Sequence, residues 1–179
     1  MKKSILIIIT TLIVGGVQAQ DNAISKYFAK YIDDTAFTKV SVTSKMFSLF
    51  TEIDAEDENE KELLEAMSKL KGIKALINEK PANPRALYKE AIAKISGNKD
   101  YEELLSVQDA EEDVIFMIRD KGGIINELLM VAGGNKHFMV LSLFGEIDLK
   151  KISRLSRVMN IEGMDRLKVL DKDKNNDDN

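Results

Sequence analysis

The side chains with the greatest chemical capacity begin with a basic stripe: Lys150, Lys151, Arg154 and Arg157. Lys150, Arg154 and Arg157 are spaced by four and three residues, so a helix through them shows these cations on one face with Lys151 beside them. Such a face can meet phospholipid headgroups, lipopolysaccharide phosphates or an acidic protein. The simpler reading is a solvated face whose cations complement the helix dipole. A second group, Asp109, Glu111, Glu112 and Asp113, gathers carboxylates at one hairpin, the residue type a glycosidase needs in pairs. Acid clustered at a turn is more commonly just solvated. His137 is the sole histidine, at the head of an apolar strand beside a Gly-Gly turn, where a structural role outweighs acid–base chemistry.

A calcium loop is the remaining candidate. Asp54, Glu56, Glu58 and Glu65 occupy its first, third, fifth and twelfth positions, but Asn59 stands where the sharp turn takes glycine and Glu62 falls inside a helical pattern. Acid at a helix entrance, complementing the dipole, explains the run without a metal. There is no His-Glu-x-x-His helix, Gly-x-Ser-x-Gly elbow or phosphate loop, and Gly133-Gly134 leads from strand to strand, offering no helix N-terminus for phosphate. We therefore assign no catalytic, metal-binding or cofactor-binding residue from the sequence.

The compartment is read from the start of the chain. Lys2-Lys3, an apolar run from Ile5 to Val14 and small residues around Val17-Gln18-Ala19 form an export signal, with cleavage expected after Ala19. The run is short for a membrane span and is broken by Thr10, Thr11 and Gly15-Gly16. Absence of cysteine excludes a lipoprotein anchor, thiol catalysis, thiolate metal sites and disulfides. Loss of Lys2 and Lys3 takes the formal charge from −4 to −6, a mild acidity that gives solubility and little affinity for nucleic acid. The expected location is exported, periplasmic first and extracellular second.

These groups must be positioned by one domain, residues 20–170, followed by a polar tail at 171–179 that has no apolar residue and reads as disordered. Helix spacing of Ile24, Tyr27, Phe28, Tyr31 and Ile32 predicts an amphipathic helix over Ala23 to Asp34. The alternating Lys39 to Thr43 predicts a strand and Met46 to Phe50 a helical turn. Leu63, Leu64, Met67 and Leu70 predict a helix, and Ile73 to Ile77 a strand after Gly72. Asn83-Pro84 then supplies a cap and a first-turn proline for a helix ended by Gly97-Asn98. After these two αβ-like units the period becomes that of strands at Tyr101 to Val107, Glu112 to Arg119, Ile124 to Val131 and Lys136 to Phe144. Asp120-Lys121-Gly122-Gly123 and Ala132-Gly133-Gly134-Asn135 provide glycines for tight turns with positive φ. Gly145 to Asp148 is read as a turn into a last helix, capped by Asp148, with Leu149, Ile152, Leu155 and Met159 facing inward. The expected fold is α+β, a single domain with a four-stranded antiparallel meander joined by the earlier strands into one sheet and about four packed helices.

Val114 to Ile118 and Phe138 to Leu141 are continuously apolar, so both faces of the sheet want cover. Coverage by the chain's own helices is the favoured reading, and a sheet face left for a partner is the alternative.

Three segments resemble a known family. Gly123-Ile124-Ile125-Asn126-Glu127-Leu128-Leu129, Phe138 to Gly145 with Glu146-Ile147-Asp148-Leu149, and Ile161-Glu162-Gly163-Met164-Asp165-Arg166-Leu167 are similar to the DUF4252 domain, an exported domain of unknown function. The resemblance spans about Ile24 to Leu167, rests on apolar and turn positions, and implies an architecture without carrying catalytic residues. The functional expectation is thus a non-enzymatic envelope binding or accessory protein, meeting an envelope protein or lipid through the basic helix or a sheet face. Two alternatives are a carrier of an apolar ligand, with a cavity lined by Phe116, Met117, Phe138 and Met139, and a small hydrolase using acidic residues.

Overall fold

The computed structural model describes residues 23–153 apart from 32 and 52–54. The export segment 1–19, Asp54, Leu155, Met159, the stretch 161–167 and the tail 171–179 lie outside the described residues. The elements in chain order are α1 (Ala23–Lys30), β1 (Thr38–Thr43), α2 (Ser44–Phe50), α3 (Glu58–Ser68), β2 (Leu70–Asn78), α4 (Pro84–Ile95), β3 (Glu102–Gln108), β4 (Glu112–Lys121), β5 (Ile124–Gly134) and β6 (Phe138–Ile147). Residues 149–153 are helical, the last helix among the described residues. The strands form one sheet in the order β1-β2-β6-β5-β4-β3, with every neighbouring pair antiparallel. This is the α+β class expected, with the meander β3 to β6 extended by β2 and β1.

The helix starts follow capping chemistry. Asp57 accepts from the Glu60 amide at 2.8 Å, while the Glu60 carboxylate accepts from the Glu56 amide, so the acidic run works as an N-terminal cap of α3. Asn83 accepts from the Ala86 amide at 3.0 Å, with Pro84 in the first turn of α4. α1 stops at Lys30, short of the expected Asp34, because a turn in which Asp34 accepts from the Ala36 amide brings Phe37 onto Tyr31 at 4.4 Å between ring centres. No helix among the described residues is long and apolar enough to cross a membrane.

Both faces of the sheet are covered by the chain itself, which explains the unbroken apolar runs of β4 and β6. On one face α1, the turn residue Tyr31 after it and α4 contribute Tyr27, Tyr31, Tyr88, Ala91 and Ile95 to a core with Ile115, Met117, Leu129, Val131, Phe138 and Val140. On the other, Phe47 of α2 and Met67 of α3 pack with Val114, Phe116, Leu128, Met130, Met139, Leu141 and Ile152.

The two Gly-Gly pairs do different work. Gly122 and Gly123 have φ of 66° and 83° and make the two-residue turn between β4 and β5, as expected. Gly133 and Gly134 are not the expected turn: they are the last residues of β5, and the link to β6 is Asn135 to His137. A Cβ on Gly133 would lie 2.7 Å from Tyr88 Cβ, and one on Gly134 would lie 2.2 Å from the Glu111 carbonyl oxygen, so close approach explains both glycines. Gly72 is likewise inside β2 and does not precede it, lying close to Phe144 and the Val42 carbonyl. The expected turn at Gly145 to Asp148 also moves, since β6 continues to Ile147. Gly145 has φ of 142° where β6 approaches Lys69 and Leu70 beside an irregularity in the β2 ladder.

Candidate functional site

The basic stripe begins where β6 ends. Asp148 caps the opening turn, accepting from the Lys150 and Lys151 amides at 3.0 and 3.3 Å, while its carbonyl accepts from the Ile152 amide at 2.9 Å. Lys150 is exposed and Lys151 half-buried; Arg154 and Arg157 lie outside the described residues. Lys151 Nζ is 3.8 Å from Glu65, which is also 3.5 Å from Lys69 Nζ, and Lys69 in turn is 3.1 Å from Glu146. The hydrogen bond to Glu146, then the charges of Glu146 and Glu65, hold the Lys69 ammonium above its ordinary pKa.

This ladder of alternating charge joins α3, the end of β6 and the last helix around a groove of about 290 Å³. Ala66, Ile125 and Ile147 line it, Lys69, Lys151, Glu146 and Asp148 supply polar atoms, and Ile124 at the β4–β5 tip completes the wall. Ile124 is 51% exposed, a large apolar side chain placed beside cations.

The acidic hairpin is a clasp. Asp109 accepts from the Glu111 and Glu112 amides, each at 2.8 Å, shaping its own turn. Arg85 of α4 donates to Asp113 at 2.6 Å and to the carbonyls of Asp109 and Ala110 at 3.2 and 3.0 Å. His137 Nε2 lies 3.0 Å from Glu112, and Asn135 donates to the Ala110 carbonyl at 3.0 Å. Asp113, Asp109 and Glu112 thus tie the β3–β4 link to α4 and to the β5–β6 link. The geometry gives His137 a structural contact at the strand head.

A third cluster was missed from the sequence. Glu127 on β5 is fully buried and accepts from Ser142 Oγ at 2.6 Å and from Tyr101 Oη at 2.9 Å, while Arg119 Nη2 stands 2.9 Å from the same carboxylate. The guanidinium also lies 5.8 Å from the Tyr101 ring centre and donates through Nε to Asn126 at 3.2 Å. Burial, reinforced by Glu127, pushes the Tyr101 phenol far above its ordinary pKa. Counted from the Gly122-Gly123 turn with no irregularity, Arg119 would face Asn126; the ladder instead shifts there and pairs Arg119 with Glu127. The signal that could have found the cluster is a lone acid inside an apolar strand, one hairpin away from a lone base.

The four side chains considered for an apolar cavity do not share one. Phe116 and Met139 belong to the α2/α3 face, Met117 and Phe138 to the α1/α4 face, and all are buried at 8% exposure or less. The sheet itself separates the two pairs.

No curated protein matches the chain. A family model described as a domain of unknown function, DUF4252, matches residues 28–155, from α1 to the opening of the last helix and through every strand of the sheet. That match covers well over half of the sequence and agrees with the resemblance carried by the β5 and β6 segments, so the chain belongs to the DUF4252 family.

Proposed function

We propose that this protein is an exported, non-enzymatic binding or accessory protein of the cell envelope, meeting an anionic partner where the last helix begins. The observation that carries the reading is the groove in which Lys69 and Lys151 stand beside the exposed Ile124, cations next to an apolar contact, with exposed Lys150 adjacent in sequence to Lys151. Amphiphilic anions and acidic protein segments offer the matching chemistry. Arg154 and Arg157 continue the same stripe by sequence spacing, and the segment Met1 to Ala19 supports placement outside the cytoplasm. Each exposed cation contributes on the order of 1 kcal/mol at an anionic surface, so reversing the charge of the stripe should remove measurable binding.

The test is affinity capture from crosslinked envelope extract, comparing the tagged chain with a Lys150→Glu, Lys151→Glu, Arg154→Glu, Arg157→Glu variant. One protein or lipid class held by the wild type and lost by an equally folded variant is the expected result. Identical capture by both would overturn the role of the stripe.

A further inference from the structure

The two edges of the sheet are built differently. β3 exposes Glu102 and Glu103, and its ladder with β4 is irregular between Glu103 and Leu105. Like charge and a bulge both keep an edge strand from pairing with another strand. β1 has no bulge and a single charge, that of Lys39. Its ladder with β2 runs from Thr38 to Thr43 without a shift, and its sequence, Thr-Lys-Val-Ser-Val-Thr, alternates β-branched residues and contains no acid. Every residue of β1 except half-buried Val42 is exposed, including Val40 at 38%.

We propose that β1 is a self-association edge, pairing antiparallel with β1 of a second copy of this chain about a two-fold axis at Ser41. A two-fold axis perpendicular to the sheet keeps each face on its own side, so residues opposite one another must share parity. With the axis at Ser41, Val40 faces Val42 of the second copy, twice, giving apolar cross-strand pairs. Each Lys39 then faces Thr43 and stands four positions along the strand from the other Lys39. That is about 13 Å, beyond the screening length of about 8 Å. An axis at Val40 would set the two lysines only two positions apart, about 7 Å, where like charges oppose pairing. Val40 and Val42 share a sheet face with α2, on which Met46 and Leu49 are 47% and 50% exposed.

The sequence has no cysteine, so one introduced thiol reports on one position. Under mild oxidation the full chain carrying Ser41→Cys should convert to a disulfide-linked dimer many times faster than Ser106→Cys on the β3 edge, and wild type should sediment as a dimer. Val40→Lys, at an exposed position, should suppress both the crosslink and the dimer while the chain still melts cooperatively. A wild-type chain that sediments as a monomer at its highest soluble concentration overturns the proposal and leaves the edge to a foreign strand. Equal crosslinking at Ser41→Cys and Ser106→Cys overturns it as chance collision.

Discussion

The two faces of the sheet reach the same degree of burial by different physics. On the α1/α4 side the core is aromatic, with Tyr27, Tyr31, Phe37 and Phe138 in tilted and edge contacts at 4.4 to 6.4 Å, and it holds Arg119 and Glu127, the buried charged residues among those described. On the α2/α3 side the core cluster is aliphatic and methionine-rich, with Met67, Met130 and Met139 filling between Phe47 and Phe116. One face is therefore specified by directional contacts and the other by volume. A directional core fails sharply when one partner is removed, whereas a volume core gives gradually.

The largest test removes half of the buried pair. Glu127→Ala should lower stability by about 3–5 kcal/mol in chemical denaturation, because Arg119 is left buried and uncompensated. Replacing both, Arg119→Met with Glu127→Leu, should cost less than either single change, since no charge then needs a partner. A single change costing under about 1 kcal/mol would mean that the pair does not hold this face. The matching change on the other face, Met139→Leu, conserves volume and should cost less than about 1.5 kcal/mol in the same assay. A loss as large as that of Glu127→Ala would erase the distinction.

The smallest effect lies on the rim of the aromatic face. Lys30 of α1 donates to Glu90 of α4 and, above all through that bond, holds the Glu90 carboxyl below its ordinary pKa; Tyr31 Oη donates to it as well at 3.3 Å. A lowered carboxyl pKa stabilises the fold above the ordinary carboxylate value, and the stability is lost as pH falls through the lowered one. Glu90→Gln should therefore flatten the acid limb of the stability profile by about 0.5 kcal/mol, a small amount because both side chains are a third or more exposed.

Sequence pattern found what depends on local rules. Positive φ at Gly122-Gly123, the Asn83-Pro84 start of α4 and the Asp148 cap follow from chemistry within a few residues, and each stands where expected. The Gly133-Gly134 pair misleads because glycine has a second use, and only the position of Tyr88 and of the β3–β4 link reveals that close approach is the reason here. Glu127 escapes for a related cause: the one-residue shift at Asn126 decides that Glu127 and not Asn126 stands opposite Arg119, and no composition rule announces a bulge. Of the basic stripe, spacing placed Lys150 and Lys151 at the start of a helix, but the engagement of Lys151 with Glu65 depends on α3 lying alongside. Distant partners of that kind are set by packing.

The strand order also divides the sheet by how its ladders are wired along the chain. β3 to β6 pair each with the next, and β1 pairs with β2 through only α2 and α3, so both groups arise from short closures. The ladder from Leu70–Asn78 of β2 to the Phe138–Gly145 stretch of β6 is different, because it closes over α4 and three strands. Loop-closure entropy is concentrated in that single seam. The sheet is thus two sets of neighbour-wired strands held together by one long-range seam, and most of the closure cost of its ladders falls where β2 meets β6.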